Sequence, residues 1–198
     1  MDHLEVNRQV TLKSLETNRT PDVIQSVMGR LQDVYDIAEE YMWTDMDILD
    51  IGTKDCLFFD LLVEKGHEQD KLIGIDCCTE VVDMCKDKGY LVYEVDAQET
   101  LLPDNSFDII FIVHTLEHVP SPEAVILECG RLLKPDGFLF IEVPIQQYED
   151  PELWGHYHTF GSHDEVKSLM GEYRLLKEDW QKTQSKKPWY RVLFQKVD

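Results

Sequence analysis

From Asp47 onward the chain alternates short apolar runs with amphipathic stretches. Ile48-Leu49-Asp50-Ile51 predicts a strand entering a turn at Gly52, and Leu57–Lys65 a helix closed by Gly66. Leu72–Asp76 predicts a second strand, Thr79–Lys88 a helix closed by Gly89, and Tyr90–Val95 a third strand. Phe107–Val113 is almost continuously apolar, the pattern of a strand buried on both faces. Ser121-Pro122-Glu123 opens a helix whose Val125, Cys129, Leu132 and Leu133 share a face. Lys134–Gly137 predicts a turn and Phe138–Val143 the fifth strand. Upstream, Thr20-Pro21-Asp22 is a helix start, and Val27, Leu31, Val34, Ala38 and Tyr41 carry the helix to about Met42. Residues 1–19 are weakly patterned and predict an arm or a frayed helix. Downstream, Ser162 and Glu165 make a capping box. Tyr173–Trp180 and Tyr190–Val197 predict two strands joined by a polar Gln181–Pro188 turn.

Strands separated by helices predict a parallel sheet covered on both faces, in which ligands bind beyond the carboxyl ends of the strands. Residues 20–198 are read as a single domain behind the 1–19 arm. The 198 residues suffice for a core without covalent staples. Five cysteines, an odd number with no Cys-x-x-Cys pair, predict free thiols in a reducing compartment. No apolar run approaches the ~20 residues that span a bilayer, and the N-terminus lacks a signal-peptide pattern. The expected setting is cytoplasmic, without a membrane span. A net charge of −20, from 19 basic and 39 acidic residues, disfavours a nucleic-acid partner, because phosphates must be neutralised by Lys and Arg.

The strand ends hold the candidate chemistry. Gly52 turns the chain toward a helix start, where backbone N–H groups can meet an anionic group. Asp76, ending the second strand, is placed to take two ribose hydroxyls. Asp96 and Ala97, after the third strand, are placed to meet an adenine edge. Acids after strands are commonly helix caps or surface charges, but here they follow at successive strand ends.

Ile48–Cys56, Ile73–Glu80, Asp96–Pro103, Phe107–Pro120 and Arg131–Val143 resemble the ordered motifs of class I S-adenosylmethionine-dependent methyltransferases. The small ubiquinone-biosynthesis-like group is the nearest in pattern, through "FDIIFIVHTLEHVPSP" and "RLLKPDGFLFIEVP". The resemblance implies a Rossmann-like α/β fold: a seven-stranded, mostly parallel sheet with helices on both faces and the last strand antiparallel. It implies S-adenosylmethionine as cofactor. Asp50, Gly52, Thr53 and Lys54 would lie near its methionine part, Asp76 on the ribose, Cys77, Asp96 and Ala97 around the adenine, and His114 beside the sulfonium. The family's first loop is usually Asp-x-Gly-x-Gly-x-Gly, and here Lys54 and Cys56 replace the second and third glycines. Glycine permits positive φ and close approach, so a reshaped loop or a more distant ligand is expected. The loop also argues against a nicotinamide dehydrogenase, whose Gly-x-Gly-x-x-Gly carries a pyrophosphate.

His114-Thr115-Leu116-Glu117-His118 also spells an inverted zinc-protease signature. That chemistry needs the histidines on one helix face. Here the motif directly follows a strand and Pro120 comes two residues after it, so no metal is expected. His156 and His158, with Trp154, Tyr157 and Phe160, form a second polar and aromatic cluster, either a packed loop or a substrate wall. Glu117, Tyr157 and His158 are the candidate acceptor contacts. His118, then His156, are the candidate general bases, since imidazole titrates near neutrality. The expected activity is methyl transfer to a small-molecule or protein acceptor. The rival reading is an inactive cofactor-binding or scaffold protein of the same fold.

Overall fold

The computed structural model describes residues 2–17, 19–145, 155–181 and 188–197. Seven strands form one sheet in the order β3-β2-β1-β4-β5-β7-β6. They are β1 Ile48–Ile51, β2 Leu72–Asp76, β3 Leu91–Glu94, β4 Phe107–Val113, β5 Leu133–Pro144, β6 Arg174–Gln181 and β7 Trp189–Gln195. Strands β1 to β5 pair in parallel, and β7 is antiparallel to both β5 and β6. The strand order reverses between β1, which continues to β2 on one side, and β4 on the other. That is the switch point where open α/β sheets bind ligands.

Helices α2 Pro21–Ala38, α3 Leu57–Glu64 and α4 Thr79–Asp87 cover one face, and α5 Pro122–Leu132 and α6 His163–Ser168 the other. Phe111, Phe140 and Leu193 face the first layer, and Ile110, Ile112 and Ile141 the second. This alternation explains why β4 reads as an unbroken apolar run. Two helix starts are capped by side chains, whereas Thr20, before α2, makes no side-chain cap bond. The Ser121 hydroxyl accepts from the Ala124 N–H at 3.3 Å, and that of Ser162 from the Glu165 N–H at 3.2 Å.

Of the arm and the frayed helix expected at the N-terminus, the structure has a helix: His3–Thr17 form the 15-residue α1, whose Asn7 reaches the His118 carbonyl and whose His3 lies beside Asp96, beyond the carboxyl ends of the strands. One expectation changes. The Lys134–Gly137 turn lies inside β5 as a bulge. Asp136 has φ +60, and the pairing with β4 jumps from Phe107↔Leu133 to Ile109↔Phe138. Most of the expected Gln181–Pro188 turn lies outside the described residues, as does Trp154. Among the described residues, no helix is long and apolar enough to cross a membrane.

Candidate cofactor and acceptor site

The loop after β1 is tied down on every side. The N–H groups of Gly52 and Thr53 donate to the Ile75 carbonyl at 2.8 and 3.1 Å, joining the loop to β2. The Lys54 N–H donates to Asp76 at 3.0 Å, and the Lys88 ammonium to the Asp55 carbonyl at 2.8 Å. Gly52 has φ +81, and a Cβ there would fall 2.1 Å from the Thr115 hydroxyl oxygen, so no other residue fits. Lys54 and Cys56 also hold positive φ, +53 and +60. The loop thus keeps glycine-like backbone at the two positions that lost glycine, each costing about 1–3 kcal/mol, rather than being reshaped. The cysteine expectation needs correcting as well. Cys56 and Cys85 form a disulfide, leaving Cys77, Cys78 and Cys129 free. The spacing gave no hint of it, because α4 brings Cys85 back to the loop only in the folded chain.

Asp76 is almost fully buried, and its two oxygens accept from the N–H groups of Lys54 and Cys78 at 3.0 and 2.9 Å. The Cys77 N–H also contributes, and a carboxylate offers about four lone-pair positions, so its accepting capacity is not exhausted. Burial pushes its pKa up, against the pull of those backbone donors. Asp50 is equally buried, and desolvation, reinforced by the nearby Asp76, pushes it up to about 7. Its folded pKa therefore lies above the unfolded value, the folded state binds the extra proton, and stability falls as pH rises from about 4 to about 7. Asp50→Asn is expected to flatten that slope and to melt higher than the native chain above pH 7. Melting curves from pH 4 to 8 check it, and an unchanged slope would refute the assignment.

Beside Asp50 a cavity of about 240 Å³ opens between α1, α2 and the loop, lined by Gly52, Thr53, Lys54, Arg19 and Arg30 among others. Desolvation lowers the pKa of Lys54, whose ammonium donates to the Ser14 hydroxyl at 3.0 Å. Two acids, Asp50 and Asp55, and three cations line it, a set suited to a zwitterion. Farther along the strand ends, Asp96 lies 3.1 Å from the His3 ring of α1 and accepts from the Gln98 N–H at 2.9 Å. Cys77 lies between Asp76 and Asp96, its thiol pushed up to about 12 by burial and Asp76. Ala97 packs against the apolar cluster on the α5 face.

Past β4 the chain builds a polar chamber. His114, with φ +53, sets its ring between Glu117 at 3.2 Å and Glu142 at 3.0 Å. Burial and Arg30 pull its pKa down, but the two carboxylates prevail and raise it, while Glu117 is held down to about 2. Glu142 stands directly opposite Arg191 across β5 and β7, and the two form a buried ion pair. Trp189 receives the His114 ring edge-on and the Arg30 guanidinium over its face, 5.3 and 5.2 Å from its centroid. Sequence reasoning missed Glu142, Arg191, Arg30 and Trp189. The one available signal was the charge of Glu142 inside the apolar Phe138–Val143 run.

The expected acceptor residues converge only in part. The His118 ring bonds through Nδ1 to the Gly155 carbonyl at 3.0 Å, which places the proton on Nδ1 and leaves Nε2 as an acceptor in the neutral ring. His156 meets it edge-on at 4.8 Å. Tyr157 and His158 donate their N–H groups to the Glu117 carbonyl at 2.9 and 3.1 Å, but the His158 ring turns away toward Glu165 and Phe160. Glu117, His118 and His156 bring one ligand atom each within 4.8 Å of one another. This is a His₂–carboxylate set of the kind that can hold a divalent ion, which the strand context of the motif had argued against.

Residues 49–141 match the family model described as a methyltransferase domain. The chain is 32% identical over 103 residues, 48% of its length, to the ubiquinone biosynthesis O-methyltransferase of Colwellia psychrerythraea, of which 41% is covered. It thus spans about two-fifths of the length of the curated relatives it matches. Among solved structures it resembles the 1,6-didemethyltoxoflavin-N1-methyltransferase of Burkholderia thailandensis, with a TM-score of 0.75 and 16% identity over 98% of this chain and 88% of that one. It also resembles the N-methyltransferase NodS of Bradyrhizobium japonicum, with a TM-score of 0.73 and 15% identity over all of both chains. Each of these two structures contains S-adenosylhomocysteine.

Proposed function

We propose that this chain, whose residues 49–141 match a methyltransferase-domain model and whose sheet has the order β3-β2-β1-β4-β5-β7-β6, is a class I S-adenosylmethionine-dependent methyltransferase that binds that cofactor and catalyses methyl transfer to a small-molecule or protein acceptor. The observation that carries the proposal is the arrangement around β1. A loop held in glycine-like backbone is bonded to the buried Asp76 and faces a cavity lined by two acids and three cations. Arg19, Arg30 and Lys54 suit the cofactor's carboxylate, Asp50 its ammonium, Asp76 the ribose diol, and Asp96 the adenine amino group. Bound S-adenosylmethionine supplies an electrophilic methyl group on a sulfonium. The chain's own part is alignment, holding donor and acceptor about 3–3.5 Å apart, and removal of the acceptor proton where there is one. The His118 ring, with Nδ1 committed to Gly155, offers its second nitrogen for that proton. The helix α1 contacts Asp96 through His3 and the His118 carbonyl through Asn7, and so touches both proposed halves of the site.

Calorimetry with S-adenosylmethionine and S-adenosylhomocysteine tests binding, and cofactor-dependent methylation of fractionated metabolite and protein pools tests transfer. Asp76→Ala should weaken cofactor binding by about 1.5–3 kcal/mol, the scale of hydrogen bonds to a charged group. Unchanged affinity in a folded Asp76→Ala protein would remove Asp76 from the ribose.

A further inference from the structure

The disulfide lies where the cofactor loop departs most from its family pattern. Cys56 is the last left-handed residue of the loop and the cap of α3, and Cys85 reaches it from α4. The Cys85 sulfur also lies 3.3 Å from the Lys54 carbonyl oxygen, so it touches both non-glycine positions. We propose that the Cys56–Cys85 pair is a thiol–disulfide switch that sets the affinity of the cofactor site, oxidation holding the loop in the conformation that glycine would otherwise allow. This rests on the cofactor reading above.

The physical argument starts from the backbone. Lys54 and Cys56 disfavour positive φ, so the loop needs external restraint, and the other ties are hydrogen bonds. The crosslink is the covalent one among them. With the thiols reduced, loop and α4 can separate, and the Lys54 N–H that orients Asp76 goes with the loop. Closure is ordinary exchange. One thiolate attacks a sulfur of glutathione disulfide and expels a glutathione thiolate. The second cysteine thiolate then displaces the other glutathione from the mixed disulfide. Two glutathiones leave reduced, carrying the two protons, and the protein has lost two electrons. Both cysteines are fully buried, so exchange requires the loop to lift, and a ligand that holds the loop down opposes reduction. Reciprocity requires the two effects to be equal: the factor by which oxidation tightens the cofactor is the factor by which cofactor stabilises the disulfide.

The experiment is calorimetry with S-adenosylhomocysteine on the full chain, oxidised and reduced, with thiols counted by mass spectrometry. Reduction should weaken binding about tenfold, within the usual range of site coupling. Cys56→Gly should bind like the oxidised protein and ignore reductant. Cys85→Ser should bind like the reduced protein in either buffer. In glutathione redox buffers, saturating S-adenosylhomocysteine should raise the ratio of oxidised to reduced protein by that same factor. Equal affinity of the two folded redox states overturns the switch and leaves the cofactor reading intact. Absence of binding in both states removes that reading and the switch with it.

Discussion

His118→Ala is expected to reduce turnover by about 10²–10⁴, the usual worth of a positioned general base, while cofactor affinity stays within a factor of two. The reason is geometric. The ring is fixed by one nitrogen on the Gly155 carbonyl, next to His156 and Glu117, in what is proposed as the acceptor side. The protein does not use the ring to hold the loop after β1. Its backbone, not its side chain, receives the Asn7 amide of α1 at 2.8 Å, so alanine leaves that contact in place. Single-turnover rates with cofactor bound, beside calorimetric affinity, separate the two effects. Full turnover in His118→Ala on an acceptor that must lose a proton would make the histidine structural and leave alignment as the whole of catalysis.

Arg191→Ala is expected to destabilise the fold by about 3–5 kcal/mol, the cost of stripping one partner from a buried ion pair. Arg191 and Glu142 are both essentially inaccessible and sit opposite each other in the β5–β7 register. Removing the guanidinium leaves Glu142 inside the sheet with only His114 and Arg30 near it. It also removes the neighbour that reaches Asp33 on α2 and Asp179 on β6, at 3.3 and 3.6 Å. Replacing both charges at once, in Glu142→Leu with Arg191→Met, should cost much less than Arg191→Ala, because the fully buried carboxylate goes with its partner, His114 keeps Glu117, and the other groups that lose a contact, Arg30, Asp33 and Asp179, all reach solvent. Urea titrations of the three proteins decide it. A double variant as unstable as Arg191→Ala would mean that shape, not charge, sets the loss.

The fold was legible where burial is two-sided or a cap is local. Phe107–Val113 could only be a central strand, and Ser121-Pro122 and Ser162 announced their helices in one turn of sequence. The places of Asp76, which ends β2, and Asp96, two residues past β3, were legible from the alternation of strands and helices; their roles are part of the proposed function. The rest depends on contacts between distant segments. The Cys56–Cys85 bond joins residues 29 apart. The positive φ of Lys54 and Cys56 is contrary to residue type and is imposed by the β2 end and α4. Glu142 and Arg191 meet only because β7 inserts beside β5, out of sequence order. Helix α1 was legible only as one of two alternatives, because its pattern is weak: it has no fully buried residue and docks through polar ties beside the half-buried Leu12 and Leu15.

That docking joins two places that the proposed reading keeps separate. Arg8 pairs with Glu80 and His3 lies beside Asp96 at the proposed adenosine end, and Asn7 reaches the His118 carbonyl at the proposed acceptor end. One helix of 15 residues thus touches both. Salt that screens the exposed Arg8–Glu80 pair is therefore expected to loosen the cover of the two ends together, not of one alone.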